Sequence, residues 1–129
     1  MESRTDHRRE LGRLGEDLAC RWLQQHGHTI LERNWHSGHL EIDVITFDGE
    51  GIHFVEVKAR KENIQAPPQD NVNVLKQKRL AKAASAFLNK AEILPSGDME
   101  CFFDIIAVTF QGGAYEIKWI PQAYIPIYT

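Results

Sequence analysis

Residues 40–58 read LEIDVITFDGEGIHFVEVK, two apolar runs separated by the turn residues Asp48 and Gly49. The runs predict two β-strands, residues 39–47 and 52–59, joined by a tight turn. A third β-rich run, residues 29–35, comes just before the turn pair Ser37-Gly38. Together the three runs predict an antiparallel meander near the middle of the chain.

Two amphipathic helices are predicted on either side of this meander. The first covers residues 5–26, where leucines recur at helical spacing and Gly27 provides a C-terminal stop. A polar loop from Arg60 to Asn71 precedes the second, residues 72–91, whose predicted inward positions are Leu75, Leu80, Ala83, Ala84, Phe87 and Leu88. Two further strands, residues 99–109 and 114–120, follow a turn at Pro95-Ser96-Gly97. The order α-β-β-β-α-β-β predicts an α/β fold with a mixed five-stranded sheet flanked by helices.

The length of 129 residues predicts one domain. We place it at residues 11–120, between a flexible segment at 1–10 and a tail at 121–129. A charged amino terminus and the lack of a long apolar run predict a cytoplasmic protein without a membrane partner. The net charge of −3 argues against a general polyanion binder, although carboxylates that bind divalent cations contribute part of that charge.

Charged residues on the two hairpin strands carry the chemical signal. Because side chains alternate across a strand, Glu41 and Asp43 share one face, as do Glu56 and Lys58. Charged groups in apolar strands are rarely buried unless they pair or bind a metal. Asp43, Glu56 and the Val57 backbone carbonyl offer the oxygen ligands that Mg²⁺ or Mn²⁺ prefers. Lys58, one strand repeat beyond Glu56, is placed to orient a metal-bound water or to stabilise the oxygens of a reacting phosphate.

This pattern predicts metal-assisted phosphodiester hydrolysis, with Asp43, Glu56 and Lys58 as the catalytic centre. The alternative is a structural ion-pair network on a half-exposed sheet face. Glu41 stays open between a supporting catalytic role and a solvated strand end. The six histidines show no HxH or HExxH spacing, so a zinc site is not expected, while a histidine base stays open. Asp104, within an apolar strand, is expected to be a hydrogen-bonded structural residue.

These residues resemble a known nuclease signature. Asp43, twelve further residues and then Glu56-Val57-Lys58 resemble the PD-(D/E)xK motif, and the element order is similar to that of archaeal Holliday-junction resolvases. A wider match, over about residues 11–108, resembles the YraN-like family of small bacterial proteins. It rests on four segments: Gly12 to Glu16, Glu41 to Ile45, Phe54 to Lys58 with Arg60, and Phe103-Asp104.

The resemblance implies a restriction-endonuclease-like core and assigns a further role to Glu16. In such nucleases a helix carboxylate completes the metal site, and Glu16 corresponds to it. Related resolvases work as dimers, which implies a homodimer here. The carboxy-terminal aromatic and proline residues would then pack on a second subunit: Trp119, Pro121, Tyr124, Pro126 and Tyr128.

Basic residues on the second helix are candidates for nucleic-acid binding. Such residues more often mark a solvated helix surface. Beside the carboxylates, however, they would form a groove that follows phosphates, with Arg60 and Lys61 at its mouth. The helix residues are Lys76, Lys78, Arg79 and Lys82. The sequence therefore favours an endonuclease acting on branched or structured DNA; the alternative is a nucleic-acid-binding or adaptor module that derives from a nuclease and does not cut.

Overall fold

The computed structural model of the chain describes residues 4–61, 74–90 and 100–123. These residues form two helices and five strands: α1 (Arg4–Gln25), β1 (Thr29–Ser37), β2 (Leu40–Phe47), β3 (Gly51–Lys61), α2 (Val74–Lys90), β4 (Glu100–Gln111) and β5 (Ala114–Ile120). The predicted element order is confirmed. Most of the predicted polar loop, the predicted turn at 95–97 and the tail from 124 onwards lie outside the described residues.

One mixed sheet runs through the molecule in the order β1-β2-β3-β4-β5. The first three strands are antiparallel, as the meander prediction requires, and β4 pairs with β3 in parallel and with β5 antiparallel. Strand β3 continues to Lys61 because β4 supplies a partner up to the Lys61–Phe110 pair. The expectation that the loop begins at Arg60 is therefore wrong by two residues.

Helix α1 covers one face of the sheet. Leu18, Ala19 and Leu23 are buried against sheet residues such as Val44 and Val108. The helix begins at Arg4, so it includes most of the segment that we expected to be flexible. An added Cβ at Gly15 would lie 2.6 Å from the Ala59 Cβ, so glycine allows α1 to approach β3 closely.

Helix α2 covers the opposite face. Ala83, Ala84 and Phe87 pack with Phe54, Ile45 and neighbouring residues of the sheet, as the helical pattern predicts. Leu75 is a correction, because 57% of it is exposed although its spacing placed it on the buried face. It lies in the first turn of the described helix, where the apolar stripe has run past the edge of the core.

Trp119 on β5 is partly buried within the chain, with its ring centroid 5.5 Å from that of Trp22 on α1. The expectation that it also packs on a neighbouring subunit stays a prediction. After β5 the chain returns to β4, where Ala123 N–H donates to the Phe103 carbonyl. The remaining residues of that aromatic segment, from 124 onwards, are outside the described part.

Within the described ranges, neither helix is both long enough and apolar enough to cross a membrane.

Candidate functional site

Strands β2 and β3 separate at the predicted site. Their ladder has only four pairs, from Phe47–Ile52 to Val44–Val55. Beyond Val44, β2 stays paired with β1 as far as Leu40, whereas β3 stays paired with β4 as far as Lys61. A cleft therefore opens between the two strands, and Asp43 and Glu56 are the next residues at its apex.

The carboxylate of Asp43 takes the place of a ladder hydrogen bond. Val57 N–H donates to its Oδ2 over 2.9 Å, which ties the side chain to the diverging strand. Burial raises the pKa of Asp43 to about 6. The Val57 hydrogen bond opposes that shift, and the negative charges of Glu56, Glu16 and Glu41 add to it. Asp43 is thus a half-buried anion in a group of other anions.

Glu56 has one oxygen that is paired and one that is not. Its Oε1 accepts a hydrogen bond from Lys76 Nζ and lies 3.2 Å from Lys58 Nζ. Its Oε2 is buried and has no hydrogen-bond partner among the residues that the structure describes. The side chain is only 11% exposed. An unpartnered anionic oxygen in this position is costly unless a cation or a donor completes it.

Two lysines respond to this environment in opposite ways. Burial lowers the pKa of Lys58. The negative charge of Glu56 raises it, and the neighbouring Lys76 ammonium lowers it again, so the pKa stays below its ordinary value. Burial alone would lower the pKa of Lys76 as well, but its hydrogen bond to Glu56 and the Glu56 charge raise it. Lys76 is half-buried, and its side chain reaches from α2 into the cleft.

Glu16 lies near this group and is held by residues of β1. Its Oε1 accepts from Asn34 Nδ2 over 2.8 Å and from Arg33 Nε over 3.2 Å. Arg33 also pairs with Asp17 at 2.7 Å. Asn34 has a positive φ of 51°, which turns β1 beside Asp43 and brings its amide to the helix. The role in metal binding that the resemblance assigns to Glu16 stays a prediction.

Glu41 is exposed and lies 3.2 Å from the ring of His36. It also lines a pocket of about 120 Å³ together with Asp43, Glu56 and Lys76. An adjoining hollow of about 420 Å³ is lined by Glu41, Lys76 and Arg79. The cleft therefore opens towards the amino-terminal half of α2.

The predicted basic residues divide between two faces of the molecule. Arg79 and Lys82 are exposed on α2, and Lys78 is half-buried there. By strand alternation Arg60 shares the face of Glu56 and Lys58. Lys61 instead lines a hollow on the α1 side with Leu14 and Leu18, so it does not join the cleft.

The structure also brings together residues that sequence reasoning missed. Among the described residues, His28, Asp48 and His53 form the one group of three potential metal ligands whose ligand atoms lie within 4.8 Å of one another. Linear spacing did not reveal them because they come from three separate segments. The available signal was register: a hairpin that pairs Thr46 with His53 brings Asp48, in its turn, close to the histidine.

Comparison with known proteins adds the family. The family model described as "Uncharacterised protein family UPF0102" matches residues 15–108. This chain belongs to that family. A UPF0102 protein of Geobacter metallireducens is 42% identical over 118 residues, covering 92% of this chain and 94% of its own. One of Bacteroides thetaiotaomicron is 37% identical, with 91% and 93% covered.

A UPF0102 protein of Chlorobium chlorochromatii is 46% identical over 99 residues, covering 77% of this chain and 74% of its own. Membership of UPF0102 confirms the resemblance to the YraN-like family. The matched region contains every residue of the cleft described above, from Glu16 through Lys76. The names of these relatives state only the family, so the chemistry has to be argued from the side chains of the cleft.

Proposed function

We propose that this UPF0102 protein is a metal-dependent endonuclease that hydrolyses DNA phosphodiester bonds, with a preference for branched or junction DNA. One observation carries the proposal. Where β2 and β3 diverge, Glu56 has a buried oxygen that no described residue contacts by a hydrogen bond, close to the half-buried carboxylate of Asp43. A divalent cation would satisfy the first oxygen and offset the charge of the second.

The side chains of the cleft fit Mg²⁺ or Mn²⁺. Asp43, Glu56 and the Val57 carbonyl are the residues that would hold the ion, and Glu16 stands nearby as a further carboxylate. When bound, such an ion lowers the pKa of a coordinated water and neutralises charge that develops on the phosphate. Burial and the negative charges of Glu56, Glu16 and Glu41 raise the pKa of Asp43, and a cation bound beside it would favour its ionised form.

The remaining groups of the cleft suit a phosphate substrate. Lys58 and Lys76 place two ammonium groups beside Glu56, where they can pair with phosphate oxygens once a metal takes over the carboxylate. Arg79 extends the positive charge along α2, next to Lys76. These residues would contact the phosphates of DNA and not the edges of its bases. They therefore suit recognition of the shape of the backbone, as a structure-selective nuclease requires.

A cleavage assay tests the proposal. Four-way junctions, flaps and single strands are incubated with the protein in Mg²⁺ or Mn²⁺. The unmodified chain is expected to cut branched DNA, and Asp43→Asn and Glu56→Gln to lose essentially all turnover. Glu116→Gln, which neutralises an exposed carboxylate on β5, is the matched control and should leave the rate unchanged. Cleavage that persists in Asp43→Asn would refute the assignment.

The second candidate function is a nucleic-acid-binding or adaptor module. It is favoured by the lysine and arginine side chains that already pair with the carboxylates of the cleft. Glu56 pairs with Lys58 and Lys76, and Glu16 pairs with Arg33. Such a network suits a nucleic-acid-binding or adaptor module that has no need of a metal. Calorimetric titration with Mn²⁺ discriminates, because the adaptor would bind DNA in a salt-sensitive manner and would bind no ion at Asp43.

A further inference from the structure

A second cluster of ionisable side chains lies far from the cleft. His28 precedes β1, Asp48 occupies the turn between β2 and β3, and His53 lies on β3. His53 shares its strand face with Val55 and therefore lies on the α1 side of the sheet, whereas Glu56 lies on the α2 side. The four-pair ladder between β2 and β3 separates this cluster from Asp43. The cluster and the proposed nuclease centre are therefore independent sites.

The atoms of the cluster converge on one point. His53 Nε2 lies 2.9 Å from Asp48 Oδ1, and His28 Nε2 lies 3.5 Å from Asp48 Oδ2. All three potential ligand atoms lie within 4.8 Å of one another. Around a tetrahedral Zn²⁺ with bonds of about 2.0–2.1 Å, neighbouring ligand atoms are roughly 3.3 Å apart. Small side-chain movements would bring the three atoms to that spacing.

The far side of each imidazole is already fixed, which is an independent indication of a ligand role. His28 Nδ1 lies 2.8 Å from Thr46 Oγ1, and His53 Nδ1 lies 2.5 Å from Asp104 Oδ2. Asp104 is fully buried, and its Oδ1 accepts the Gln122 N–H over 2.7 Å. Each Nε2 is thereby aimed at Asp48. Metal-binding histidines show this arrangement, in which a carboxylate or other polar group at one ring nitrogen orients the other towards the ion.

The turn prepares the carboxylate in the same way. Asp48 Oδ1 accepts hydrogen bonds from the backbone of Glu50 and Gly51, which fixes the side chain over the two rings. The Asp48 side chain is 19% exposed, whereas those of His28 and His53 are 6% and 5% exposed. An ion could therefore enter from the turn and keep a water on its open side.

We propose that His28, Asp48 and His53 bind one divalent transition-metal ion, in the first place Zn²⁺. Two imidazole nitrogens and one carboxylate suit this class of ion, and Mg²⁺ is disfavoured because it prefers an all-oxygen shell. The ion fastens the start of β1 to the β2–β3 turn and to β3. Its role is to stabilise the end of the sheet opposite the cleft, and the nuclease proposal does not depend on it.

Titration of metal-free protein with Co²⁺ and Zn²⁺ tests this site. Co²⁺ in a four-coordinate nitrogen and oxygen site gives visible absorption bands. In Asp43→Asn, which lacks one carboxylate of the proposed cleft site, we expect these bands to saturate at one equivalent and to disappear on addition of Zn²⁺ but not of Mg²⁺. The melting temperature should rise with Zn²⁺, because an ion that binds only the folded chain stabilises it.

Variants assign the binding to its residues. Asp48→Asn keeps the oxygen that accepts the turn hydrogen bonds but removes the anionic ligand, and His28→Gln removes one imidazole; each is expected to abolish the Co²⁺ bands. Asp104→Asn, which alters only the residue behind His53, should weaken Zn²⁺ binding about 10- to 100-fold. His36→Gln, which removes an exposed histidine, and Asp43→Asn in the cleft should leave the bands unchanged.

Two results would overturn the proposal. The first is a folded, metal-free protein that takes up no stoichiometric Co²⁺ or Zn²⁺, which would leave the cluster as a hydrogen-bonded structural group. The second is a set of four-coordinate Co²⁺ bands that survives in folded Asp48→Asn or His28→Gln. Folded Asp43→Asn, in which the proposed cleft site lacks a carboxylate, decides by the presence or absence of the four-coordinate Co²⁺ bands, so a His28 or Asp48 variant that fails to fold leaves the test intact.

Discussion

Asp43 carries a conflict between stability and the proposed chemistry. Its carboxylate is held by Val57 N–H in a half-buried position, close to Glu56, Glu16 and Glu41. Burial and these like charges disfavour the ionised form and raise its pKa to about 6 from an ordinary value of 3.8. A neutral residue at this position would stabilise the sheet more than a buried ionised carboxylate does. Ionisable groups whose pKa is shifted in this way are common at functional sites.

Replacing the charge should therefore stabilise the protein. In Asp43→Asn a side-chain oxygen can still accept the Val57 hydrogen bond while the buried charge is removed. At pH 7 the free energy of unfolding should rise by about 1 to 3 kcal/mol, which is the free energy that corresponds to the shift of the Asp43 pKa. Urea unfolding without divalent ions measures it, and an Asp43→Asn protein less stable than the unmodified chain would contradict the account.

The pH dependence of this difference has a defined sign. The folded chain holds the Asp43 proton more tightly than the unfolded chain does. The stability contributed by the protonated form is thus complete below 3.8 and is lost as the pH rises through about 6. The gain in free energy of unfolding from Asp43→Asn should be small near pH 3.8 and reach its full size at neutral pH. Unfolding curves in a series of buffers would measure it. A gain in free energy of unfolding that is equal at pH 3.8 and at neutral pH would exclude the Asp43 charge as its cause.

Lys76 competes with a metal for Glu56. Because its ammonium contacts Glu56 Oε1, removing it should free that carboxylate for a cation. We expect Lys76→Met to bind Mn²⁺ about tenfold more tightly, which corresponds to one charge-assisted hydrogen bond of about 1.4 kcal/mol. Calorimetry measures the affinity. Lys82→Met, an exposed lysine of the same helix, is the control, and equal affinities in the two variants would argue against competition at Glu56.

At the scale of elements, the contact of α1 with β3 depends on Gly15. A Cβ there would lie 2.6 Å from the Ala59 Cβ, whereas nothing lies within 4 Å of one at Gly12. Gly15→Ala should lower the free energy of unfolding by about 1–3 kcal/mol through overpacking. Gly12→Ala should raise it by up to about 1 kcal/mol through helix propensity. Thermal unfolding compares the two, and similar effects in both would mean that the helix does not approach β3 so closely.

The meander could be predicted because its signals are local. Alternation on β2 and β3 and the turn residues between them predicted the hairpin, and the same alternation predicted that Asp43 and Glu56 lie on neighbouring strands. The divergence of the two strands at this pair was not foreseen. Beyond that, tertiary contacts decide. Lys76 contacts Glu56, and Glu16 pairs with Arg33, only because of where each helix packs on the sheet. The periodicity of the sequence does not predict that position.

The same reason explains why the histidine cluster was missed. Its members are 20 and 5 residues apart along the chain, a spacing that matches no local metal motif. They meet because β1, the β2–β3 turn and β3 come together at one end of the sheet. Asp104, expected to be a hydrogen-bonded structural residue, is buried and bonded to His53 as that expectation requires. Its partner, however, was not foreseen.

At the scale of the whole molecule, the distribution of charge matters more than its sum. The net charge is −3, yet basic residues of α2 border the cleft and part of the negative charge lies within it. A bound divalent ion would reduce that negative charge locally. DNA binding by this surface is therefore compatible with an acidic protein.

DNA affinity should depend on these helix residues and on salt. Arg79→Ala combined with Lys82→Ala should weaken binding to a four-way junction and reduce the slope of log K against log salt by about 1 to 2, because roughly one counterion is released for each phosphate contact. Fluorescence anisotropy in Ca²⁺ measures it. Lys118→Ala, an exposed lysine on β5, is the control, and an equal loss in that variant would mean that α2 is not the DNA surface.

The location of a bound ion tests the central claim most directly. A crystal of the protein soaked in Mn²⁺ is expected to show an anomalous peak between the carboxylates of Asp43 and Glu56, with Glu56 Oε2 among the ligands, and an Asp43→Asn crystal to show none there. If the soaked crystal instead has no peak in the cleft, with Glu56 still bonded to Lys58 and Lys76, then the cleft does not bind a divalent ion and the nuclease proposal fails.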